Sequence, residues 1–137
     1  MTTTSALDAA VAQSIGTIPE CMAAGYIDVG SGFLLSIKTV DSHPREVIDL
    51  VAAATSDLFQ GANVSTVEAI WKRSRGVDTP RHYFQEFIVN SDNAIHVFIR
   101  GKKYQDYVGV FVCRNTANIG MVLAKSRMAM PMIESAV

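Results

Sequence analysis

Residues 107–113, Tyr-Val-Gly-Val-Phe-Val-Cys, constrain this chain most, because they are apolar at both alternating sets of positions. A strand sends successive side chains to opposite faces. One that is apolar on both faces belongs in the middle of a sheet with cover on each side. Residues 21–29 and 33–38 flank Gly30-Ser31-Gly32 and read as a hairpin, with Asp28 placed to bond the turn backbone. Residues 83–89 and 94–100 read as two further strands around Ser91-Asp92-Asn93. In the second of these, Ile95, Val97 and Ile99 share one face, and His96, Phe98 and Arg100 share the other.

The cover comes from helical patterns. Ser5 caps a first helix running to about Ser14, with Leu7, Ala10, Val11 and Ser14 on one face and Gly16 and Pro19 stopping it. Asp41 or Ser42 caps a second, with Pro44 in its first turn and Glu46 near its positive end. Its stripe of Val47, Leu50, Val51, Ala54 and Leu58 is widened by Ile48, Ala52, Thr55 and Phe59, and Gly61 ends it. That width exceeds what one sheet contact requires, and it has two explanations: a second contact with a partner subunit, or a helix sunk in a monomer core. Ser65 followed by Glu68 has capping-box spacing, and Val67, Ile70 and Trp71 share a helical side. Residues 64–75 therefore read as a short helix, with an extended alternative left open by their valine and threonine. Thr116 or Asn118 caps a last helix over 118–130, with Ile119, Val122, Leu123 and Ser126 facing inward and Pro131 weakening its end.

The predicted order is helix, hairpin, helix with a short helical extension, three antiparallel strands, helix. This is an α/β arrangement of the α+β type: a five-stranded antiparallel sheet with helices on both faces. At 137 residues the chain is one domain, residues 1–137, and its 49% hydrophobic content suffices for a core. Twelve basic against 13 acidic residues leave a net charge of -1, so nucleic acid is not an expected partner. Residues 1–12 lack the pattern of a secretory signal, and no apolar run approaches about 18 residues. A cytoplasmic protein without a membrane span is expected.

Chemistry is scarce. His43, His82 and His96 fit no zinc spacing. Gly25, Gly30 and Gly32 fit neither standard phosphate loop and are followed by a strand, not a helix. Cys113 and His96 fall in neighbouring strands, but no third group orients such a base and no oxyanion loop accompanies it. Cys21 and Cys113 read as buried free thiols. No catalytic, metal or cofactor site is expected, and the chain reads as a non-enzymatic protein-binding domain. Trp71, beside Lys72, Arg73 and Arg75, is either a packing residue or an anchor for a partner.

Several of these segments resemble the Roadblock/LC7 family. They are Ile18-Pro19-Glu20-Cys21 leading into residues 23–28, the hairpin through residues 32–35, Tyr107-Val108-Gly109-Val110, and Asn118-Ile119-Gly120-Met121 at the start of the last helix. With the element order, the likeness spans about residues 5–130. It implies a profilin-like sheet, a homodimer or heterodimer, and a scaffold or regulator of a small Ras-like GTPase or another signalling protein. In that family the central helices and edge strands of two subunits meet as a platform. Carried onto this chain, the platform would use Val47, Val51, Ala54 and Leu58 with Tyr83, Gln85, Phe87 and Val89 of the edge strand. The last helix would lie on the opposite face. Two departures stand out: Glu20 occupies a position where glycine is frequent, and residues 64–80 are longer than the usual link. The alternative function is a small-ligand sensor, for which a preformed apolar pocket lined by Trp71, Phe84 or Phe98 would speak.

Overall fold

A computed structural model describes residues 3–40, 45–76 and 78–137, with the side chains of 5–40, 51–76 and 78–137. The elements are α1 (Thr3–Thr17), β1 (Cys21–Asp28), β2 (Phe33–Thr39), α2 (Arg45–Gln60), α3 (Ala62–Arg75), β3 (Glu86–Asn90), β4 (Ala94–Arg100), β5 (Tyr107–Arg114) and α4 (Ile119–Ser135). All five strands form one antiparallel sheet in the order β2-β1-β5-β4-β3. The doubly apolar strand β5 is central, between β1 and β4, as its composition requires.

Strand alternation divides the core in two. Ile95, Val97 and Ile99 of β4, with Phe111 and Cys113 of β5, face α1 and α4, where Val11, Val122 and Ile133 are fully buried. Each such aliphatic side chain is worth about 1.5–3 kcal/mol of burial. Phe98, Val108 and Val110 face the other way, onto Ala52 and Phe59 of α2. The helices therefore cover both faces, with α4 opposite α2.

Helix boundaries depart from the sequence pattern where tertiary contacts outweigh local preference. Gly16 lies inside α1, which runs on to Thr17. A helical glycine costs only about 1 kcal/mol, and the packing of Ile15 and Ile18 against the core offsets it. Ser65 does not cap α3. The helix starts after Gly61, Ser65 lies one turn inside it, and Glu68 turns toward His82. Residues 64–75 are thus helical. Gly61 sits at the break between α2 and α3, and a Cβ there would lie 2.7 Å from the Asp57 carbonyl oxygen. Asn118 caps α4, its Oδ1 accepting from Met121 N at 3.0 Å, and the helix continues through Pro131 to Ser135. Glu134, near its end, is buried and accepts the backbone N–H groups of Lys103 and Tyr104 at 2.8 and 3.0 Å. The expected cap at Asp41 or Ser42 and Pro44 lies outside the described residues.

Glu20, at a position where the resemblance leads one to expect glycine, has φ 52° and so occupies the left-handed region. Its carboxylate accepts from Thr116 Oγ1 at 2.7 Å.

Candidate functional site

The surface of α2 that turns from the sheet, the start of α3 and the edge strand β3 enclose an apolar groove of about 710 Å³. Helical periodicity sets its wall. Ala52, Thr55 and Phe59 are buried against the sheet, while Val51 and Ala54 are exposed and Leu58 is half-buried. Val51, Ala54 and Leu58 line the groove, and the side chain of Val47 lies outside the described residues. The floor is Phe87 and Val89 of β3 with His96 and Phe98 of β4. These four share a face because Phe87 pairs with Phe98 and Val89 with His96 in the ladder.

The strand expected over 83–89 begins only at Glu86, so the four expected edge residues separate. Phe87 and Val89 lie on the strand and in the groove. Tyr83 and Gln85 precede it. The Gln85 side chain donates to the His82 carbonyl at 2.6 Å, and its own carbonyl accepts from Arg100 N at 2.8 Å. Tyr83 stacks on Trp71 with ring centroids 4.5 Å apart. From there a run of rings continues through Phe84 and Phe87 to Phe59, at spacings of 5.0, 5.7 and 4.9 Å. Trp71 is accordingly half-buried, Lys72 is half-buried, and Arg73 and Arg75 are exposed.

β3 pairs with β4 alone among the described strands and presents Phe87-Ile88-Val89 along an open edge without a charge. Ile88 and Val89 are both exposed. Such an edge is a template for another strand. Glu86 at its start is tied to α4 by a two-pronged ion pair with Arg127, at 2.9 and 2.7 Å.

Three polar groups frame the region. His96 stacks on Phe98, and its Nε2 lies 3.2 Å from Ser91 Oγ. Loss of hydration by burial pushes its pKa below the ordinary imidazole value. His82 bridges α3 and the β4–β5 link, with Nδ1 3.0 Å from Glu68 and Nε2 3.7 Å from Asp106. Arg100, 2% exposed, donates to the carbonyls of Phe84, Gln105 and Phe59 at 2.9, 2.7 and 3.2 Å. Burial lowers the pKa of that guanidinium, and Glu68 and Asp106 act against the shift.

The thiol and imidazole weighed as a pair stand on opposite faces. Cys113 is opposite Ile95 in the ladder and packs in the α1–α4 core, whereas His96 is opposite Val112 and lines the groove. Cys113 instead faces Cys21 across the β1–β5 ladder, both being buried free thiols. Among the described residues, no group of three or more His, Cys, Asp or Glu side chains is placed to hold a metal ion. No helix among them is long and apolar enough to cross a membrane.

A second hollow, of about 380 Å³, lies on the other side of Val51 over Gly25, Ile27, Val110 and Val112. Phe98 lines the first hollow, whereas Trp71 and Phe84 line neither. Sequence reasoning named Val51, Ala54 and Leu58 for a partner surface and Phe98 for a ligand pocket, but did not put Phe98 and His96 together on the groove floor. The alternation of residues 94–100 was the signal for both, since it puts them on the face opposite Ile95 and Val97.

The sheet order with helices on both faces is the α+β topology of the Roadblock/LC7, profilin-like fold. Solved structures of that type superimpose on nearly the whole chain. The gliding protein MglB of Thermus thermophilus matches with TM-score 0.71 at 16% identity, covering 99% of this chain and 91% of its own. A Roadblock/LC7 domain from Streptomyces avermitilis matches with TM-score 0.67 at 13% identity, covering 93% and 94%. An MglB described as having a tetrameric arrangement matches with TM-score 0.69 at 18% identity, covering 100% and 94%. At these identities the likeness is one of fold. No protein-family model and no curated protein matches the chain.

Proposed function

We propose that this chain is a non-enzymatic scaffold or regulator that pairs with a second copy of itself through α2 and β3. The resulting platform would bind a small Ras-like GTPase or another signalling protein. One observation carries the reading: a large apolar groove lies directly beside the edge of β3, which is uncharged over residues 87–89 and pairs with β4 alone among the described strands. Groove and edge are two faces of one surface, so a single partner strand and helix would cover both. The fold shared with Roadblock/LC7 domains supports the same assignment, as does the tetrameric arrangement of one similarly folded protein, an MglB.

The test is solution mass by sedimentation across a dilution series, beside an Ala54→Asp variant. Ala54 is exposed, so the new charge is tolerated by the monomer fold. A species near twice 14.8 kDa that Ala54→Asp converts to a folded monomer is expected. A wild-type chain that stays monomeric at high concentration would sink the platform. Saturable binding of the dimer to a panel of GTPases, read by calorimetry, then tests the partner class. The hollow of about 380 Å³ favours the second reading, a sensor of a small apolar ligand. That reading predicts a rise in melting temperature with an apolar probe such as a fatty acid, lost in a Gly25→Leu variant that fills the hollow.

A further inference from the structure

Helix α3 is 14 residues long, and Glu68 is the only buried residue in it. That residue is charged and is engaged by His82 at 3.0 Å. Val67 and Ile70 are 45% and 49% exposed. A helix of this length is marginal in water without tertiary packing, so its apolar side is left without the cover that would hold it. Val64, Val67 and Ile70 recur at three-residue steps along one side. The first of them already lines the apolar groove. The uncovered stripe is therefore a continuation of the surface assigned above to self-association.

We propose that α3 is an arm exchanged between two copies of this chain, with Val67 and Ile70 of each seated in the α2–β3 groove of the other. The inference rests on the platform reading. A surface that adjoins a two-fold axis meets its own copy, so arm and groove are satisfied reciprocally by one operation. Charge fixes the direction. The charged residue lining the groove is Asp57, and the last turn of α3 carries Lys72, Arg73 and Arg75. Arg73 follows Ile70 by three residues and so lies beside it on the helix. With Ile70 in the groove of a second copy, Arg73 reaches the Asp57 of that copy. A conformational role for the Trp71–Tyr83 stack follows: it pins the middle of α3 to the segment before β3 and so aims the arm.

The experiment is the dimer dissociation constant by sedimentation for six proteins: wild type, Ala54→Asp, Ile70→Asp, Asp57→Arg, Arg73→Asp, and the double variant Asp57→Arg with Arg73→Asp. The arm predicts that Ile70→Asp weakens the dimer about tenfold or more, because a carboxylate then enters an apolar groove. It predicts that each single charge reversal weakens the dimer and that the double reversal restores most of the loss. Circular dichroism of each variant reports folding, and the charge swap remains decisive should Ile70→Asp unfold. Wild-type affinity in Ile70→Asp, or no recovery in the double variant, while Ala54→Asp still dissociates, overturns the arm and leaves the platform standing. A wild-type chain that is monomeric throughout removes both.

Discussion

The Arg100 guanidinium lies 5.0 Å above the ring of Phe59 and donates from Nη2 to the Phe59 carbonyl oxygen at 3.2 Å. One residue of β4 thereby holds the last turn of α2, and with it one wall of the groove. Its other two bonds, to Phe84 and Gln105, hold the segment before β3 and the β4–β5 link. Replacing Arg100 with methionine takes the donor from three carbonyls, one buried and two partly buried. A loss of about 3 kcal/mol is expected, read as a fall in the urea midpoint. Arg100→Lys keeps the charge but not the planar fork, and is expected between the two.

Glu20 bears a side chain at φ 52°, a conformation that glycine adopts without penalty. Glu20→Ala loses the bond to Thr116 and keeps the strain, whereas Glu20→Gly loses the bond and releases it. The glycine variant is expected to be the more stable of the two by about 1 kcal/mol. Equal thermal midpoints for the two variants would remove the strain argument.

Gly109 packs where a Cβ would meet the Met130 sulfur and lie 3.1 Å from the Phe111 ring. Gly109→Ala is expected to cost about 1–3 kcal/mol by overpacking the central strand. Since Met130 is flexible, adding Met130→Ala to Gly109→Ala should recover part of that cost, a non-additivity that a double-mutant cycle measures.

His96 supplies a pH dependence whose sign is fixed. Burial holds its folded pKa below the unfolded value of about 6.5. The unfolded chain therefore takes up the proton first, and the stability contributed by the neutral ring is present above about pH 6.5 and lost as pH falls through the folded pKa. The urea midpoint should decline between about pH 7 and 5, and His96→Gln should flatten that decline relative to wild type. His82, beside Glu68 and Asp106, stays in both proteins, so the difference isolates the groove histidine.

Where a pattern repeats within one element, it was readable in advance. The alternation of Ile95, Val97 and Ile99 placed β4, and the doubly apolar run placed β5 at the centre. Over its described side chains, the stripe of α2 divides into Ala52, Thr55 and Phe59, which are buried, and Val51 and Ala54, which are exposed. What escaped notice depends on partners far along the chain. Tyr83 and Phe84 have strand-like character but spend it on rings in α3 and β3, so the strand begins late. Pro131 reads as weakening the helix end, yet Ile133 is buried and Glu134 is held by the Lys103 and Tyr104 backbone, which carries the helix past it. The groove floor was hidden for a similar reason: His96 and Phe98 become a surface only because α2 stands off that part of the sheet.

The pairing of β1 with β5 has a consequence for how the chain is made. Asp28 meets Tyr107 and Cys21 meets Cys113, so the central seam joins residues separated by most of the sequence. During synthesis, β1–β2 emerges behind α1, which packs on it, but β1 then lacks the β5 neighbour that completes its ladder. That edge of β1 stays open until β5 leaves the ribosome. Closure of the sheet is thus a late, long-range event of the kind that slows folding and invites capture by chaperones. Interrupting translation before β5 should release two unjoined hairpins and no partial domain.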